Sequence, residues 1–154
     1  MREILFRGKR VDNGEWVYGD FIENQGSCYI YTASDTTTIP IPSNEQIISV
    51  ICNKIIPETV GQYTGLTDKN GKKIFEGDYV INIIDEGSKE ETVCVEYVGF
   101  YDGSFGFFDH IVGDSSPYPN DCFTPFEYCV LENIDFCGNI HDNPELLKGG
   151  DENA

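Results

Sequence analysis

Residues 61–80 read GQYTGLTDKNGKKIFEGDYV, and this stretch decides the fold prediction. Its DKNG tetrad, residues 68–71, is typical of a tight turn, because Asx side chains bond their own backbone and glycine tolerates positive φ. Gly77 allows a second turn between Phe75 and Tyr79. The stretch therefore predicts two sharp reversals that lead the chain into a small β-barrel.

Elsewhere, apolar residues recur with a period of two far more often than 3.6, which is typical of strands. The clearest hairpin signal is the DNG triplet at residues 12–14. Residues 34–42 indicate a loop or an edge strand, because Pro40 and Pro42 cannot donate to a ladder. Residues 47–56 fit a strand or a short buried helix, and their β-branching favours the strand. The predicted strands are residues 4–8, 15–22, 27–32, 47–56, 78–84, 92–98, 104–108, 126–131 and 134–140.

These short, evenly spaced strands predict a mostly β fold (β-rich α+β). We expect an N-terminal β-rich section at residues 1–58 and a small closed barrel at residues 59–148. Residues 144–147 fit one helical turn, with Asn143 as its N-cap. Residues 149–154 are expected to form a disordered tail.

The chain is strongly acidic, with 10 Lys and Arg against 27 Asp and Glu and a formal net charge of −17. Residues 1–80 hold 8 basic and 11 acidic side chains, a net of −3, whereas residues 81–154 hold 2 and 16, a net of −14. This balance disfavours nucleic acid phosphates and anionic membranes, both of which attract Lys and Arg. The acidic excess indicates a solvated face or, as the sharper alternative, a surface that mimics nucleic acid.

Length and composition indicate a globular protein, since 154 residues fit one domain or two small ones and 40% are hydrophobic. No apolar run approaches the ~20 residues of a membrane helix. Charges at Arg2, Glu3 and Arg7 interrupt any signal-peptide core. We therefore expect a cytoplasmic protein without membrane association, whose cysteines are mostly buried and reduced. The six cysteines are Cys28, Cys52, Cys94, Cys122, Cys129 and Cys137.

Three patterns in the central stretch resemble ligand or catalytic sites. Residues 68–71 begin like a calcium loop, but the glycine comes too early and the flanks are strand-like rather than helical. Gly61 and Gly65 are not followed by the GK[ST] of a phosphate-binding loop. Glu76 and Asp78 form a carboxylate pair, but acid–base catalysis also needs a pocket and a convergent partner. We interpret all three as turn chemistry.

The C-terminal part contains a pattern close to that of the CCCH zinc fingers that bind RNA. Cys122, Cys129, Cys137 and His141 give the spacing C-x6-C-x7-C-x3-H. The pattern lacks the tight cysteine pair that is usual in structural zinc sites, and no basic residue lies nearby to meet RNA. We favour cysteines buried in strands, with zinc binding left open.

Only Cys94 and His110 suggest a nucleophile and its base, and no nucleophile-elbow motif accompanies them. We therefore predict no enzyme, no catalytic residues and no cofactor. The aromatic run FYDGSFGFF at residues 100–108 resembles a base-stacking strand. Without Lys or Arg nearby, a core strand or a subunit interface explains the run better, and it suggests a homo-oligomer.

Three blocks of the chain resemble the YopX family of small phage and prophage proteins. They are residues 4–21 (ILFRGKRVDNGEWVYGDF), 62–80 (QYTGLTDKNGKKIFEGDYV) and 137–147 (CGNIHDNPELL). The resemblance implies a mostly β protein with an SH3-like barrel in its C-terminal part, and it suggests self-assembly. It implies no established activity and no site residues.

Three functional hypotheses follow. The first is a non-enzymatic phage or prophage accessory protein in the host bacterial cell, acting through protein–protein contacts as a homo-oligomer or with a host or phage protein. The second is an acidic decoy for a nucleic-acid-binding protein, based on residues 90–147, which hold twelve acids and no Lys or Arg. The third, disfavoured by the net charge, is direct nucleic-acid binding by the two basic clusters. These clusters are Arg2, Arg7, Lys9 and Arg10, and Lys69, Lys72 and Lys73.

Overall fold

The computed structural model of this protein describes residues 1–33, 50–84, 87–109, 123–129 and 131–145. Within these ranges the chain is mostly β, as predicted. The strands are β1 Phe6–Lys9, β2 Trp16–Asn24, β3 Ser27–Ala33, β4 Val50–Ile55, β5 Gly61–Thr67, β6 Lys73–Phe75, β7 Asp78–Ile84, β8 Thr92–Tyr101, β9 Ser104–Asp109, β10 Phe123–Pro125 and β11 Asp135–Asn139. Short 3-10 helices lie at Pro57–Thr59 and Phe126–Tyr128. No helix in the described ranges is long and apolar enough to span a bilayer.

The strands form two antiparallel sheets, ordered β4-β3-β2-β1-β5-β6 and β10-β9-β8-β7-β11. The chain divides into two compact units, Met1–Tyr63 and Thr64–Ala154. Strand β5 runs through this division, so its first residues belong to the first unit and its last residues to the second. Each unit has a hydrophobic core of its own.

The core of the first unit lies on one face of strands β1 to β4. Its buried members are Cys28, Ile30 and Ile55, against which Phe6, Val17, Phe21 and Val60 pack. Along β2, pairing passes from β1 to β3 immediately after Gly19. A Cβ at Gly19 would lie 2.0 Å from the carbonyl oxygen of Tyr31, so this close approach of two strands requires glycine.

The ends of β1 and β4 also meet in the first unit. The Ile56 N–H donates to the Lys9 carbonyl over 2.8 Å, and Arg10 and Ile55 form an isolated antiparallel bridge. These contacts join the two strands at one end only. The SH3-like barrel expected at residues 59–148 is not confirmed. Strands β5 and β6 of that region belong to the six-stranded sheet, and β7 to β11 form an open sheet with β10 and β11 at its edges.

The five-stranded sheet of the second unit is apolar on both faces. One face carries the buried residues Val80, Val98 and Phe107, with Ile74 of β6 and Ile134 in the same cluster, and the other carries Tyr79, Tyr97 and Phe108. Consecutive residues of a strand point to opposite faces, which is why neighbours in sequence belong to different clusters. This double burial explains the open sheet, because curling around one core would expose the other.

The two reversals predicted from the central stretch are confirmed. The Gly71 N–H donates to the Asp68 carbonyl over 3.0 Å, which closes the turn between β5 and β6. Gly71 and Gly77 have φ of 83° and 89°, the left-handed region that favours glycine. The flanks of the turn are the strands β5 and β6, in agreement with the strand-like sequence on both sides of it.

The predicted strand at residues 126–131 was wrong. Residues Phe126–Tyr128 form a 3-10 helix, closed by the Cys129 N–H donating to the Phe126 carbonyl over 3.1 Å. The turn directs the Phe126 ring onto Phe107, with 4.8 Å between the ring centroids. Packing of this aromatic side chain therefore overrides a strand-like pattern.

The C-terminal helical turn is shown only in part. Pro144 and Glu145 have 3-10 geometry, and the following residues lie outside the described ranges, as does the predicted tail at 149–154. The side-chain oxygen of Asn143 accepts the Asn139 N–H over 3.3 Å, and residue 146, whose N–H an N-cap at Asn143 would bind, lies outside the described ranges. The predicted loop at 34–42 also lies outside the described residues.

Candidate interaction surfaces

The outward-facing side chains of β2 and β3 form an aromatic surface on the first unit. Val17 and Phe21 pack into the core, so the residues between and beside them point the other way. We define the outer aromatic face as Trp16, Tyr18, Ile22, Tyr29 and Tyr31. Tyr18 and Ile22 are 48% and 46% exposed, which leaves apolar area on this face available for contact.

Three cations border the outer aromatic face. Arg7 lies opposite Tyr18 on the neighbouring strand, and its guanidinium carbon is 4.6 Å from the centroid of a Trp16 ring. Lys9 lies opposite Trp16, with its ammonium 5.3 Å from that centroid. Lys54 lies opposite Tyr29. Cation–π contacts therefore hold two of these cations, Arg7 and Lys9, against the indole of Trp16.

Cys52 is an exposed free thiol, contrary to the expectation of mostly buried cysteines. It lies opposite Tyr31 and therefore on the outer aromatic face. A side-chain hydrogen bond with Cys52, together with its charge, raises the pKa of the Tyr31 phenol. By contrast Cys28, which points the other way, is buried as predicted. An apolar sequence around a cysteine thus predicts that the cysteine lies in a strand. The face of the sheet to which its side chain points decides whether it is buried.

The aromatic run 100–108 divides into a buried and an exposed part. Phe107 and Phe108 are 1% and 2% exposed and belong to opposite faces of the sheet, so the predicted core strand is confirmed for them. We define the hairpin tip as Phe100, Tyr101 and Phe105. Phe100 and Tyr101 are 52% and 41% exposed, and the Phe100 and Phe105 rings meet edge-on at 5.1 Å.

Asp68, the first residue of the calcium-like tetrad, is buried and bonds to backbone. Its Oδ1 accepts the N–H groups of Asn70 and Lys72, each over 2.8 Å, and its Oδ2 accepts the Phe136 N–H over 3.3 Å. Burial alone would raise the pKa of Asp68, but these donors lower it below its usual value. The Asp68 side chain, a possible ligand in the calcium-like pattern, thus stabilises the fold by accepting hydrogen bonds from backbone N–H groups.

The second acidic candidate, the pair Glu76 and Asp78, is also explained by the fold. Asp78 is fully buried, and its Oδ2 accepts the Phe75 N–H over 2.8 Å, which closes the turn at Gly77. Gly61 lies in β5 opposite Arg7, so it forms part of a ladder rather than a phosphate-binding loop. These residues maintain the architecture, as the turn interpretation predicted.

The structure separates two of the cysteines in the zinc-like pattern. Cys129 packs on the cluster of Val98 and donates through its thiol to the Pro125 carbonyl over 3.3 Å. Cys137 packs on the opposite face, with Tyr79. Burial, and then the nearby carboxylates of Asp135 and Asp78, raise the pKa of the Cys137 thiol, which disfavours the thiolate that zinc requires.

The other residues of the zinc-like pattern, and those of the Cys94–His110 pair, are only partly described. Cys122 and His110 lie outside the described residues, as does the side chain of Cys94. His141 is half-buried, and its backbone N–H donates to the Asn139 side chain over 3.0 Å. Within the described ranges, no group of three or more His, Cys, Asp or Glu is placed to hold a metal ion.

Most described members of the two basic clusters already contact other groups. Arg10 makes a two-pronged contact with Asp12, whose pKa this side-chain hydrogen bond lowers. Lys69 contacts Asp135 over 2.9 Å, and the Lys72 ammonium lies 3.1 Å from the centroid of the Phe136 ring. Cations engaged in this way must exchange partners before binding phosphate, which counts against direct nucleic-acid binding.

The described acids of residues 90–147 are dispersed. Glu90 and Glu91 precede β8 and Asp102 follows it. At ~3.3 Å per residue, a strand of this length separates its ends by roughly 30 Å. Other carboxylates are engaged within the chain, such as Asp142, which accepts from the Asn139 side chain over 2.9 Å. This arrangement does not favour the acidic decoy, whose carboxylates should follow a regular row.

The outer aromatic face was not predicted from the sequence. Its signal is the alternation of Trp16 and Tyr18 with the core residue Val17, and of Tyr29 and Tyr31 with the core residue Ile30. When both members of an alternating pattern are apolar or aromatic, periodicity gives the strand but not the inward face. Register with β1 and β4 assigns the faces.

These features define a β-sheet protein whose buried carboxylates and thiols serve the fold and whose exposed features are aromatic surfaces. A family model described as YopX protein matches residues 5–148, nearly the whole chain. The chain therefore belongs to the YopX family, as its sequence blocks predicted. A solved structure, that of protein EF1440 from Enterococcus faecalis, is similar at 20% sequence identity with a TM-score of 0.47, covering 96% of this chain and 99% of that chain. A search of curated proteins gives no match.

Proposed function

We propose that this YopX-family protein is a non-enzymatic phage or prophage accessory protein that acts through protein–protein contacts in the cytoplasm of the host bacterium. The observation that carries the proposal is the exposed hairpin tip. The groups that chemistry would need, such as the buried Asp68 and Asp78 and the half-buried Cys129, bond instead to backbone. A surface available for contact is thus a better basis for function than a catalytic site.

We assign self-association to the hairpin tip. Its rings are exposed, and residues 90–147 contain no Lys or Arg to attract an anionic ligand. Two copies related by a twofold axis can place the Phe100 edge of each tip against the other, because an isologous contact uses the same patch twice. Repulsion between chains of charge −17 opposes this contact. Added salt screens that repulsion, so association should strengthen as ionic strength rises.

Multi-angle light scattering tests this assignment. We expect the wild type to have a multiple of the 17.3 kDa chain mass, and the Phe100→Ser/Tyr101→Ser variant to have 17.3 kDa. The matched control is Tyr18→Ser/Ile22→Ser, which removes similar apolar area from the outer aromatic face and should keep the wild-type mass. A wild type of 17.3 kDa at high and low salt would refute self-association, and capture of one specific host or phage protein by the tip would then identify a different partner.

A second candidate function is supported by the outer aromatic face. Its rings with the half-buried Lys9 and the exposed Lys54 resemble a platform on which single-stranded bases stack, while Arg7 is buried. Trp16 is the only tryptophan of the chain, so its fluorescence reports contact at this face directly. Quenching by oligothymidylate at low salt that disappears at high salt would support this candidate. Unchanged emission would eliminate it.

A further inference from the structure

Strand β11 is an edge strand with a side that no other strand of its sheet covers. One side pairs with β7, with Asp135 opposite Ile81 and Phe136 opposite Val80. In an antiparallel edge strand, alternate residues direct their backbone N–H and C=O groups away from the neighbouring strand. Such a row of backbone groups is a template for pairing with another chain.

The turn between β5 and β6 occupies this outer side of β11. The Lys69 N–H donates to the Ile134 carbonyl over 3.0 Å, and Asp68 Oδ2 accepts the Phe136 N–H over 3.3 Å. A carboxylate and a single amide therefore satisfy backbone groups that an additional strand would otherwise bind. Unlike a strand, the turn presents no continuing ladder on its far side.

Side chains of the same turn fix it to β11. The Lys69 ammonium contacts the Asp135 carboxylate over 2.9 Å, and the Asn70 amide donates to the same carboxylate over 3.3 Å. The Lys72 ammonium lies 3.1 Å from the centroid of the Phe136 ring. Each of these contacts is modest alone, but together they hold the turn at a defined position along the edge.

We propose that the Asp68–Lys72 turn is an edge guard, which keeps the five-stranded sheet from adding a strand from a second copy of this chain. The occupant of the unguarded edge is the β11 of that copy, since two identical antiparallel edges pair symmetrically about a twofold axis. This role goes beyond the proposed self-association. That association uses the hairpin tip at the far end of β8, whereas the guard prevents a different contact.

The experiment uses the full chain with Phe100→Ser/Tyr101→Ser, so that association through the hairpin tip does not contribute. In this background we add Asp68→Ala and compare it with Asp12→Ala, which removes an exposed turn carboxylate that contacts Arg10. With Asp68→Ala we expect at least a doubling of the mass by light scattering. We also expect hydrogen exchange of the Phe136 amide to be about tenfold faster when measured at a dilution that keeps the variant monomeric. With Asp12→Ala, neither quantity should change.

A second variant covers the case in which Asp68→Ala does not fold, as judged by circular dichroism. Lys69→Gln/Lys72→Gln keeps the Asp68 hydrogen bonds and loosens only the side-chain attachment, so we expect a smaller increase in mass. A folded Asp68→Ala with unchanged mass overturns the proposal, even if the Phe136 amide exchanges faster. So does an unchanged mass for the double lysine variant when Asp68→Ala is unfolded. Neither result affects the assignment of the hairpin tip.

Discussion

Two pairs of neighbouring residues show how differently the two sheets use their faces. In the first unit, Ile30 is fully buried while Tyr29 beside it lies on the outer aromatic face. In the second unit, Phe107 and Phe108 are also neighbours on one strand, yet both are buried, in separate clusters. The first sheet thus has one core, and the second has a core on each face.

This difference determines where each unit can contact other molecules. A sheet with one hydrophobic core leaves much of its other face exposed, which is how the first unit comes to display aromatic residues such as Tyr18. A sheet buried on both faces uses its aromatic residues as core and can display them only at its margins. The hairpin tip, where β8 and β9 extend beyond the buried rows, is such a margin.

The largest expected effect tests the comparison directly. We expect Phe107→Ala and Phe108→Ala each to reduce the free energy of unfolding by about 3–5 kcal/mol, because each leaves a cavity in a different core. Ile30→Ala should cost about 2–5 kcal/mol. Tyr29→Ser should cost under about 1 kcal/mol, because an outward side chain leaves no cavity. Urea denaturation followed by circular dichroism measures all four, and equal costs for Tyr29 and Ile30 would remove the contrast between the sheets.

The next largest effect concerns the path of β2 in the sheet of the first unit, which has one hydrophobic core. Gly19→Ala places a methyl group against the Tyr31 carbonyl, and we expect a loss of about 1–3 kcal/mol, as for other overpacked sites. Gly14→Ala is the matched control, since Gly14 has positive φ but nothing within 4 Å of the added carbon. Its cost should be about 1 kcal/mol. If thermal unfolding shows a larger loss of stability for Gly14→Ala than for Gly19→Ala, the close approach of β2 and β3 is contradicted.

A third prediction concerns the pH dependence of the second unit. The folded pKa of Asp68 lies below its unfolded value, so its stabilisation is present above pH 3.8, the ordinary Asp value, and is lost as the pH falls through the folded pKa. The charged groups around it are Lys69, Lys72 and Asp135. Asp68→Asn should reduce the free energy of unfolding by about 1–3 kcal/mol at neutral pH. It should also make the free energy of unfolding fall less steeply as the pH is lowered.

The control for this titration is Asp12→Asn, whose exposed carboxylate pairs with Arg10 and should contribute much less than the buried Asp68. Urea midpoints measured between pH 2 and pH 7 compare the two variants. An acid limb that keeps its slope in Asp68→Asn would show that other carboxylates cause the acid sensitivity.

The smallest effect is expected on the outer aromatic face. Cys52→Ala removes the hydrogen bond that raises the Tyr31 pKa, so we expect the phenol to titrate at lower pH, closer to its ordinary value. Stability should change by no more than about 0.5 kcal/mol, because the thiol is exposed. The ring resonances of Tyr31, followed by NMR through alkaline pH, report the shift. An unchanged titration would show that Cys52 does not act on Tyr31.

Sequence patterns predicted strands better than they predicted faces and edges. The strands predicted at residues 15–22 and 92–98 correspond to Trp16–Asn24 and Thr92–Tyr101, because alternation is a property of neighbouring residues. The barrel at residues 59–148 was not confirmed, because closure depends on whether a sheet has one core or two. Burial of Phe107 and Phe108 on opposite faces cannot be read from the two adjacent phenylalanines alone.

By itself, the sequence determined the turns at Asp68–Gly71 and at Gly77, because positive φ and Asx hydrogen bonds act within a few residues. It also determined family membership through motifs that are local in the chain. Only the tertiary structure decided that Asp68 caps Phe136, which lies 68 positions further along. Such a contact depends on which strands become neighbours, and that in turn follows from how many faces of each sheet find a core.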